Sequence, residues 1–272
     1  MNDGCLFLIP TPIGNYDDIT IRSLDTLKKI DILLCEDTRE TGKLLAHYGI
    51  KKKLVSCHEY NEEKMIDKVL SMLDEHLLIG LVTDQGTPII SDPGYKIVEA
   101  ISKTKYKVIS LPGTTAFVPA LTLSALPPQP FLFYGFLNAK AGKQKTELEK
   151  LKFYPFTIIF YESPHRIMNT LRNMLEIFGD RRVCLVRELT KKYETVYHLK
   201  ISELLKLDSL KGEMVLVVEG NQNLNSFEEM SIIDHVNIYV QDGMKLNDAM
   251  KKVASERGVS KSIIYKEYNK EK

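Results

Sequence analysis

The 272-residue sequence has no excess of charge of either sign: 37 lysines and arginines stand against 36 aspartates and glutamates, a formal net charge of +1. A polycation that binds nucleic acid by bulk attraction is thereby excluded, and any such contact has to come from local patches. Cysteine is scarce and scattered. Cys5, Cys35, Cys57 and Cys184 form no C-x-x-C pair, so the spacing offers no zinc site, and the apolar surroundings of three of them predict buried free thiols. No apolar run reaches the roughly 18 residues that a membrane span needs. Residues 4–12 are apolar but short, have no basic lead-in and run into a Pro/Gly turn, unlike a signal peptide, so a cytoplasmic protein is expected. Also missing are G-x-G-x-x-G after the first apolar run, G-x-x-x-x-G-K-[ST] and H-E-x-x-H. Their absence counts against a Rossmann dinucleotide site, kinases, ATPases and zinc hydrolases.

What is present is ordinary globular material, 44% hydrophobic and 27% charged, in a chain long enough for two packed α/β units. Short β-type runs at 6–9, 32–35, 78–82 and 108–111 alternate with helical stretches, as at 62–73, which is the pattern of a largely parallel sheet covered by helices. Three of these runs end in turns rich in Pro, Gly, Thr and Asp: Pro10-Thr11-Pro12-Ile13-Gly14-Asn15, Thr83-Asp84-Gln85-Gly86-Thr87-Pro88 and Leu111-Pro112-Gly113-Thr114-Thr115-Ala116. Ligand clefts in open α/β sheets lie at the carboxyl ends of strands, where such loops converge.

Pro127-Pro128-Gln129-Pro130 can neither continue a helix nor join a central strand, and marks a domain boundary. Beyond it, strands are expected at 131–136, 157–161, 183–186 and 213–218, with an amphipathic helix at 166–178. From residue 221 the composition turns polar, and 245–268 reads as two short helices broken at Arg257-Gly258-Val259-Ser260. Leu246, Met250, Val253 and Ala254 meet Ile263 and Ile264 in this hairpin. From Lys245 to Lys272 eight Lys/Arg stand against four Asp/Glu, which suits an RNA contact or a solvated face. The expected organisation is an α/β domain at 1–126, a second α/β domain at 127–220 and a helical appendage at 221–272.

A small ligand held by such turns needs close backbone approach and apolar walls. Gly86 and Gly113 permit the approach, Thr87 and Thr115 add hydroxyls, and Ile89 and Ile90 add wall.

Several ordered motifs then carry a specific resemblance: Pro10-Thr11-Pro12-Ile13-Gly14-Asn15, Cys35-Glu36-Asp37-Thr38-Arg39, His58-Glu59, Gly86-Thr87-Pro88, Ser91-Asp92-Pro93-Gly94-Tyr95, Phe160-Tyr161-Glu162-Ser163-Pro164-His165-Arg166, Arg187-Glu188-Leu189-Thr190-Lys191 and Lys211-Gly212-Glu213-Met214. Over residues 5–220 the chain resembles the ribosomal RNA small subunit methyltransferase I family. It departs from the family pattern at Gln85, Tyr60, Thr114-Thr115 and Asn138.

The resemblance implies the two-domain tetrapyrrole-methylase fold with a cofactor cleft between domains. It further implies methyl transfer from S-adenosylmethionine to the ribose 2'-hydroxyl of cytidine 1402 in 16S rRNA, within the 30S subunit, by a homodimer. Carried onto this sequence, the cofactor positions are Pro12, Gly86, Thr87, Ile90, Thr115, Ala116, Glu162, Leu189 and Met214. No metal is called for.

Glu36, Asp37 and His58 are candidates for accepting the hydroxyl's proton; alternatively Glu36-Asp37 caps the next helix or pairs with Arg39. Arg39, Arg166 and Arg187 are candidates for gripping RNA phosphates or, equally, for holding carboxylates within the fold. The rival readings are methylation of a tetrapyrrole precursor, against which the Glu-Asp-Thr-Arg and Tyr-Glu-Ser-Pro-His-Arg motifs speak, and a non-catalytic RNA-binding regulator.

Overall fold

The computed structural model describes residues 4–207, 210–222 and 230–270. The first sheet is built from β1 (Cys5–Leu8), β2 (Ile32–Cys35), β3 (Lys53–Ser56), β4 (Leu78–Leu81) and β5 (Lys107–Ser110), all parallel, in the order β3-β2-β4-β1-β5. Its central strands are short unbroken apolar runs, as both faces of a parallel sheet are covered. Helices α1 (Ile21–Lys29), α2 (Thr38–His47), α3 (Glu62–Asp74) and α4 (Tyr95–Ser102) supply the cover. One face packs Leu6, Leu34, Ile79 and Leu81 against Val69, Leu73, Ile97 and Ile101, and the other packs Ile9, Leu33 and Cys35 against Leu27 and Leu45.

This strand order has a direct consequence for the loops. β4, β1 and β5 are distant in sequence but adjacent in the sheet, so the three Pro/Gly/Thr turns emerge side by side at its carboxyl edge.

The second sheet comprises β6 (Phe131–Phe136), β7 (Thr157–Glu162), β8 (Arg182–Arg187), β9 (Thr195–Lys200) and β10 (Met214–Val218), in the order β6-β7-β10-β8-β9. Only β6 and β7 are parallel; β10 runs antiparallel between β7 and β8. Helices α6 (Ala141–Leu151), α7 (Ile167–Phe178) and the one-turn α8 (Ile201–Leu204) accompany it. α7 is held by a buried stripe of Ile167, Leu171, Met174 and Phe178 at helical spacing. Helix α5 (Phe117–Leu123) precedes the proline segment, yet it packs Ala120 and Leu121 on Ile159, Val186 and Val217 of this second sheet.

Both sheets belong to one compact unit, which runs to Glu149 and resumes at Phe156–Glu219; Lys150–Pro155 and the residues from Gly220 onward form another. In the latter, α9 (Ile232–Gln241), α10 (Leu246–Glu256) and α11 (Lys261–Lys270) share a core of Val236, Ala249, Met250, Val253, Ala254 and Ile264. The expected helical break falls at Arg257–Ser260, as read. Leu246 and Ile263, expected in the hairpin contact, are instead 39% and 47% exposed; Ala249 and Val236 fill that core. Part of the polar stretch after residue 221, namely 223–229, lies outside the described residues, as do 271–272. All four cysteines are buried free thiols. Among the described residues no helix is long and apolar enough to cross a membrane.

Candidate functional site

The three adjacent turns are tied to one another by their own polar groups. Thr11 and Gly86 exchange backbone hydrogen bonds of 2.9 and 3.0 Å. Thr11 Oγ1 donates to the Thr83 carbonyl at 3.1 Å, Thr87 Oγ1 donates to the Thr114 carbonyl at 2.8 Å, and Thr114 Oγ1 donates to the Thr11 carbonyl. A threonine hydroxyl next to a tight turn can satisfy a carbonyl that no strand reaches, which explains the density of threonine here. Gly86 has φ +90°, and a Cβ there would stand 3.4 Å from Ile13 Cγ2. Ile89 and Ser91 also have positive φ, at 76° and 69°. For a β-branched residue such as Ile89 this is a rare and costly backbone state, of the sort that collects at binding loops.

The second sheet brings its own set to the same place. Met214, the first residue of β10, is paired with Glu162 at the end of β7 and with Arg187 at the end of β8, and Leu189 follows two residues after β8. Antiparallel insertion of β10 therefore gathers Glu162, Leu189 and Met214 at one edge.

Between these edges lies a cavity of about 420 Å³. Gly86, Thr87, Ile90, Thr115, Ala116, Glu162, Leu189 and Met214 all line it. Pro12 does not: it is buried, and its neighbour Ile13 lines the cavity instead. Thr83, Asp84, Asp92, Phe136, Tyr161 and Glu213 also line it, although residue type alone does not mark them as ligand contacts. The two aspartates were within reach, since each sits in a motif that carried the resemblance or in the second glycine turn. Gln85, one of the departures from the family pattern, lines the cavity and donates to Glu213 at 3.1 Å across the two sheets.

The lining is apolar on one part and acidic on another. Ile13, Ile90, Ala116, Val186 and Leu189 offer wall for a flat ring, and Asp84, Asp92, Glu162 and Glu213 carry negative charge, with no Lys or Arg among the lining residues described. A phosphate-bearing ligand would meet repulsion there, whereas a cationic group would be favoured. Two of the four carboxylates are already paired. Glu162, 3% exposed, has Arg166 Nε at 3.3 Å and accepts hydrogen bonds from the Ser163 amide and Thr170 Oγ1, at 2.9 and 2.5 Å. Glu213 has Lys191 Nζ at 2.8 Å.

Glu36, Asp37 and His58 do not line the cavity but stand next to it, because β2 is the neighbour of β4. Asp37 caps α2, accepting the Arg39 amide at 2.7 Å, and holds the Arg39 guanidinium through two contacts of 3.2 and 2.7 Å. That guanidinium keeps the Asp37 carboxyl at about 2. Its backbone amide in turn donates to Asp84 at 3.2 Å. Burial, and then the charge of Asp84, pushes the Glu36 carboxyl above its ordinary range. Of the three arginines, Arg39 is the most exposed, with 84% of its side chain open. Arg166 donates to the Leu137 carbonyl at 2.5 Å as well as meeting Glu162, and Arg187 Nε donates to the Lys211 carbonyl at 2.9 Å. These two brace loops of the fold.

The model of the Tetrapyrrole (Corrin/Porphyrin) Methylases matches residues 6–205. Solved structures agree on the fold. The methyltransferase CobJ superposes with a TM-score of 0.60 at 16% identity, over 80% of this chain and 94% of that one. Uroporphyrin-III C-methyltransferase from Thermus thermophilus, complexed with S-adenyl homocysteine, superposes with 0.57 at 18%, over 79% and 97%. The class is thus a methyltransferase of tetrapyrrole-methylase fold. Relatives along nearly the whole chain are narrower in kind. Ribosomal RNA small subunit methyltransferase I of Bacillus subtilis (strain 168) is 45% identical over 98% of this chain and 94% of its own, and that of Escherichia coli O157:H7 is 40% identical over 97% and 94%. The chain belongs to the ribosomal RNA small subunit methyltransferase I family.

Proposed function

We propose that this protein transfers a methyl group from S-adenosylmethionine to the ribose 2'-hydroxyl of cytidine 1402 in 16S rRNA, acting on the 30S subunit as a cytoplasmic homodimer. The observation that carries the reading is the cavity between the two sheets, acidic and free of lysine and arginine where a sulfonium has to sit. Relatives over nearly the full length, each bearing the name of a small-subunit rRNA methyltransferase, support RNA over a tetrapyrrole as the acceptor.

S-adenosylmethionine supplies an electrophilic methyl group, and the residues here bind it, orient it and keep water out. Gly86 and Thr87 would bring backbone close to the donor and Ile90, Ala116 and Leu189 would cover its ring, while Thr115, Glu162 and Met214 bound the pocket from the third turn and the second sheet. Pro12 acts through the turn it stiffens. Alignment of hydroxyl, methyl carbon and sulfur in a dry site provides much of the acceleration. Glu36, Asp37 and His58 stand at the margin of the site as the candidates for accepting the hydroxyl's proton.

The test is transfer of labelled methyl from S-adenosylmethionine to 30S subunits that lack the modification, followed by mapping. Label at the 2'-oxygen of cytidine 1402 is expected. Unlabelled 30S subunits and unlabelled naked 16S rRNA, with donor binding intact, would turn the search to tetrapyrrole acceptors.

Arg39 is the arginine best placed to meet phosphate, at the cost of exchanging its bond to Asp37 for one to RNA. Arg39→Ala is expected to weaken binding to 30S subunits and to flatten the salt dependence of that binding by about one unit of slope, with donor affinity unchanged. Arg166→Ala and Arg187→Ala, whose guanidiniums are engaged inside the fold, lower thermal stability first. An Arg39→Ala salt slope equal to the parent's removes this residue from the RNA interface.

A further inference from the structure

Ile13 and Leu189 line the cavity between the sheets, and the residues that follow them, Gly14 and Thr190, line a second, open groove of about 550 Å³. The two turns meet closely there: a Cβ on Gly14 would stand 2.4 Å from Lys191 Cγ. Glu188 and Thr190 hold positive φ, at 51° and 65°, and the Thr190 amide donates to the Glu194 carboxylate at 2.6 Å. The second turn is thus fixed in a rare backbone state of the sort that collects at binding loops. Tyr16 and His47 line the groove as well. Their rings are stacked, with centroids 4.2 Å apart and planes inclined by 24°, and Tyr48 meets both edge-on. Tyr48 Oη donates to the Tyr16 carbonyl at 2.5 Å, and Asn15 Oδ1 accepts the Asp17 amide at 3.1 Å. Tyr16 is thereby held through one face of its ring and through its backbone, while 43% of it stays open to solvent.

The charge of this groove differs in sign from that of the cavity beside it. Lys191 and Lys192 line it against Asp17 alone, whereas the charged residues lining the cavity are all carboxylates. Lys191 is engaged by Glu188 and Glu213, at 3.3 and 2.8 Å. Lys192 is exposed, holds its Nζ 5.6 Å from the Tyr193 ring centroid and has no carboxylate partner among the described residues. A supported, open aromatic ring and an uncommitted cation are the two parts by which proteins hold unpaired nucleotides, the ring taking the base and the cation the phosphate. We propose that the groove holds a nucleotide neighbouring the methylated one, with its base stacked on Tyr16 and its phosphate met by Lys192. This rests on the RNA-methyltransferase reading above. Tyr16 is then a positioning residue: gripping the neighbour fixes the strand whose 2'-hydroxyl has to align with the donor's methyl group.

The experiment has an optical and a kinetic arm. The chain contains no tryptophan, so Tyr16→Trp installs a single reporter in the groove and keeps a stacking face there. Its fluorescence, corrected for absorbance, is expected to be quenched by 30S subunits that lack the modification and to be unchanged by S-adenosylmethionine alone. Tyr16→Ala is expected to lose about 5- to 100-fold in kcat/KM for methyl transfer to those subunits, the range for removing one base–aromatic stack. It binds S-adenosylmethionine within about threefold of the parent by calorimetry. Tyr16→Phe, which keeps the ring, transfers within about twofold of the parent. Lys192→Ala lowers the salt slope of 30S binding by about one.

Tyr16→Ala also takes a ring contact from His47 and Tyr48, and the quenching of Tyr16→Trp is the readout that a merely structural role does not move. An unquenched Tyr16→Trp protein in its 30S complex would overturn the proposal. So would quenching by S-adenosylmethionine alone, which would place the donor in the groove, a Tyr16→Ala rate close to the parent's, or a Lys192→Ala salt slope equal to the parent's. If the parent labels no RNA while Tyr16→Trp is still quenched by 30S subunits, the groove stands as an RNA site and the acceptor assignment alone falls. A parent with no label and a reporter with no quenching lose both.

Discussion

Gly86→Val is expected to lose at least about 100-fold in affinity for S-adenosylmethionine, roughly 2.8 kcal/mol, while remaining folded. Two separate effects add. A β-branched residue at φ +90° is strained by about 1–3 kcal/mol, and the backbone bonds to Thr11 on both sides resist relaxation toward negative φ. The side chain also takes up room in the cavity that Gly86 lines: its Cβ already stands in contact with Ile13, at 3.4 Å, and with the Thr114 carbonyl, at 3.8 Å, before the branches are added. Gly86→Ala, which adds only that Cβ, loses less. Calorimetric binding, read beside circular dichroism to establish folding, decides the matter. A folded Gly86→Val protein that binds the donor normally would place the ligand elsewhere.

Phe160→Ala should cost about 3–5 kcal/mol of stability, since Phe160 is among the largest fully buried side chains of the described residues. The side chain is wholly buried on β7, between β6 and β10, where it faces Leu216 in register and Tyr134 at 5.5 Å between ring centroids. Removing it opens a cavity on the side of the sheet away from Ile159 and Tyr161, whose face packs on α5. Donor affinity at low temperature is therefore retained while the denaturant midpoint falls with an unchanged slope. A midpoint within experimental scatter of the parent's would mean the sheet repacks around the void.

These two sites differ in how plainly the sequence announces them. The strands at 32–35, 78–82 and 131–136 could be read directly, because short apolar runs, interrupted only by Gly80 and by Tyr134-Gly135 and bounded by turn residues, leave few alternatives. β9 could not. It is an edge strand, Thr-Val-Tyr-His-Leu-Lys, whose residues are half-exposed or, at His198 and Lys200, exposed, and carry no strong apolar signal. α6 is similarly quiet, a polar helix in which Leu148 and Gln144 are buried but lysines dominate. α9 follows directly after the polar stretch and was masked by it.

At the site, glycine and threonine turns could be recognised as ligand loops, but their adjacency depends on the order β4-β1-β5, a pairing that no local pattern encodes. The same limit explains the acid residues. Glu36-Asp37 stood out because it follows a buried strand, yet β2 lies one place to the side, and the strand beside it sends Asp84 and Asp92 into the cavity instead. Conversely, Asp37's alternative as a helix cap with Arg39 was legible from Asp-Thr-Arg alone, and those contacts are present.

The central position of β10 also sets an order of events during synthesis. A growing chain delivers β6, β7, β8 and β9 before residue 214, leaving β7 and β8 with facing edges and no strand between them. The emerging protein consequently has no Met214 or Val215 wall, and no complete cavity between the two sheets, until β10 has followed β6, β7, β8 and β9 out. Until then those two open edges are exposed to mispairing with other nascent chains.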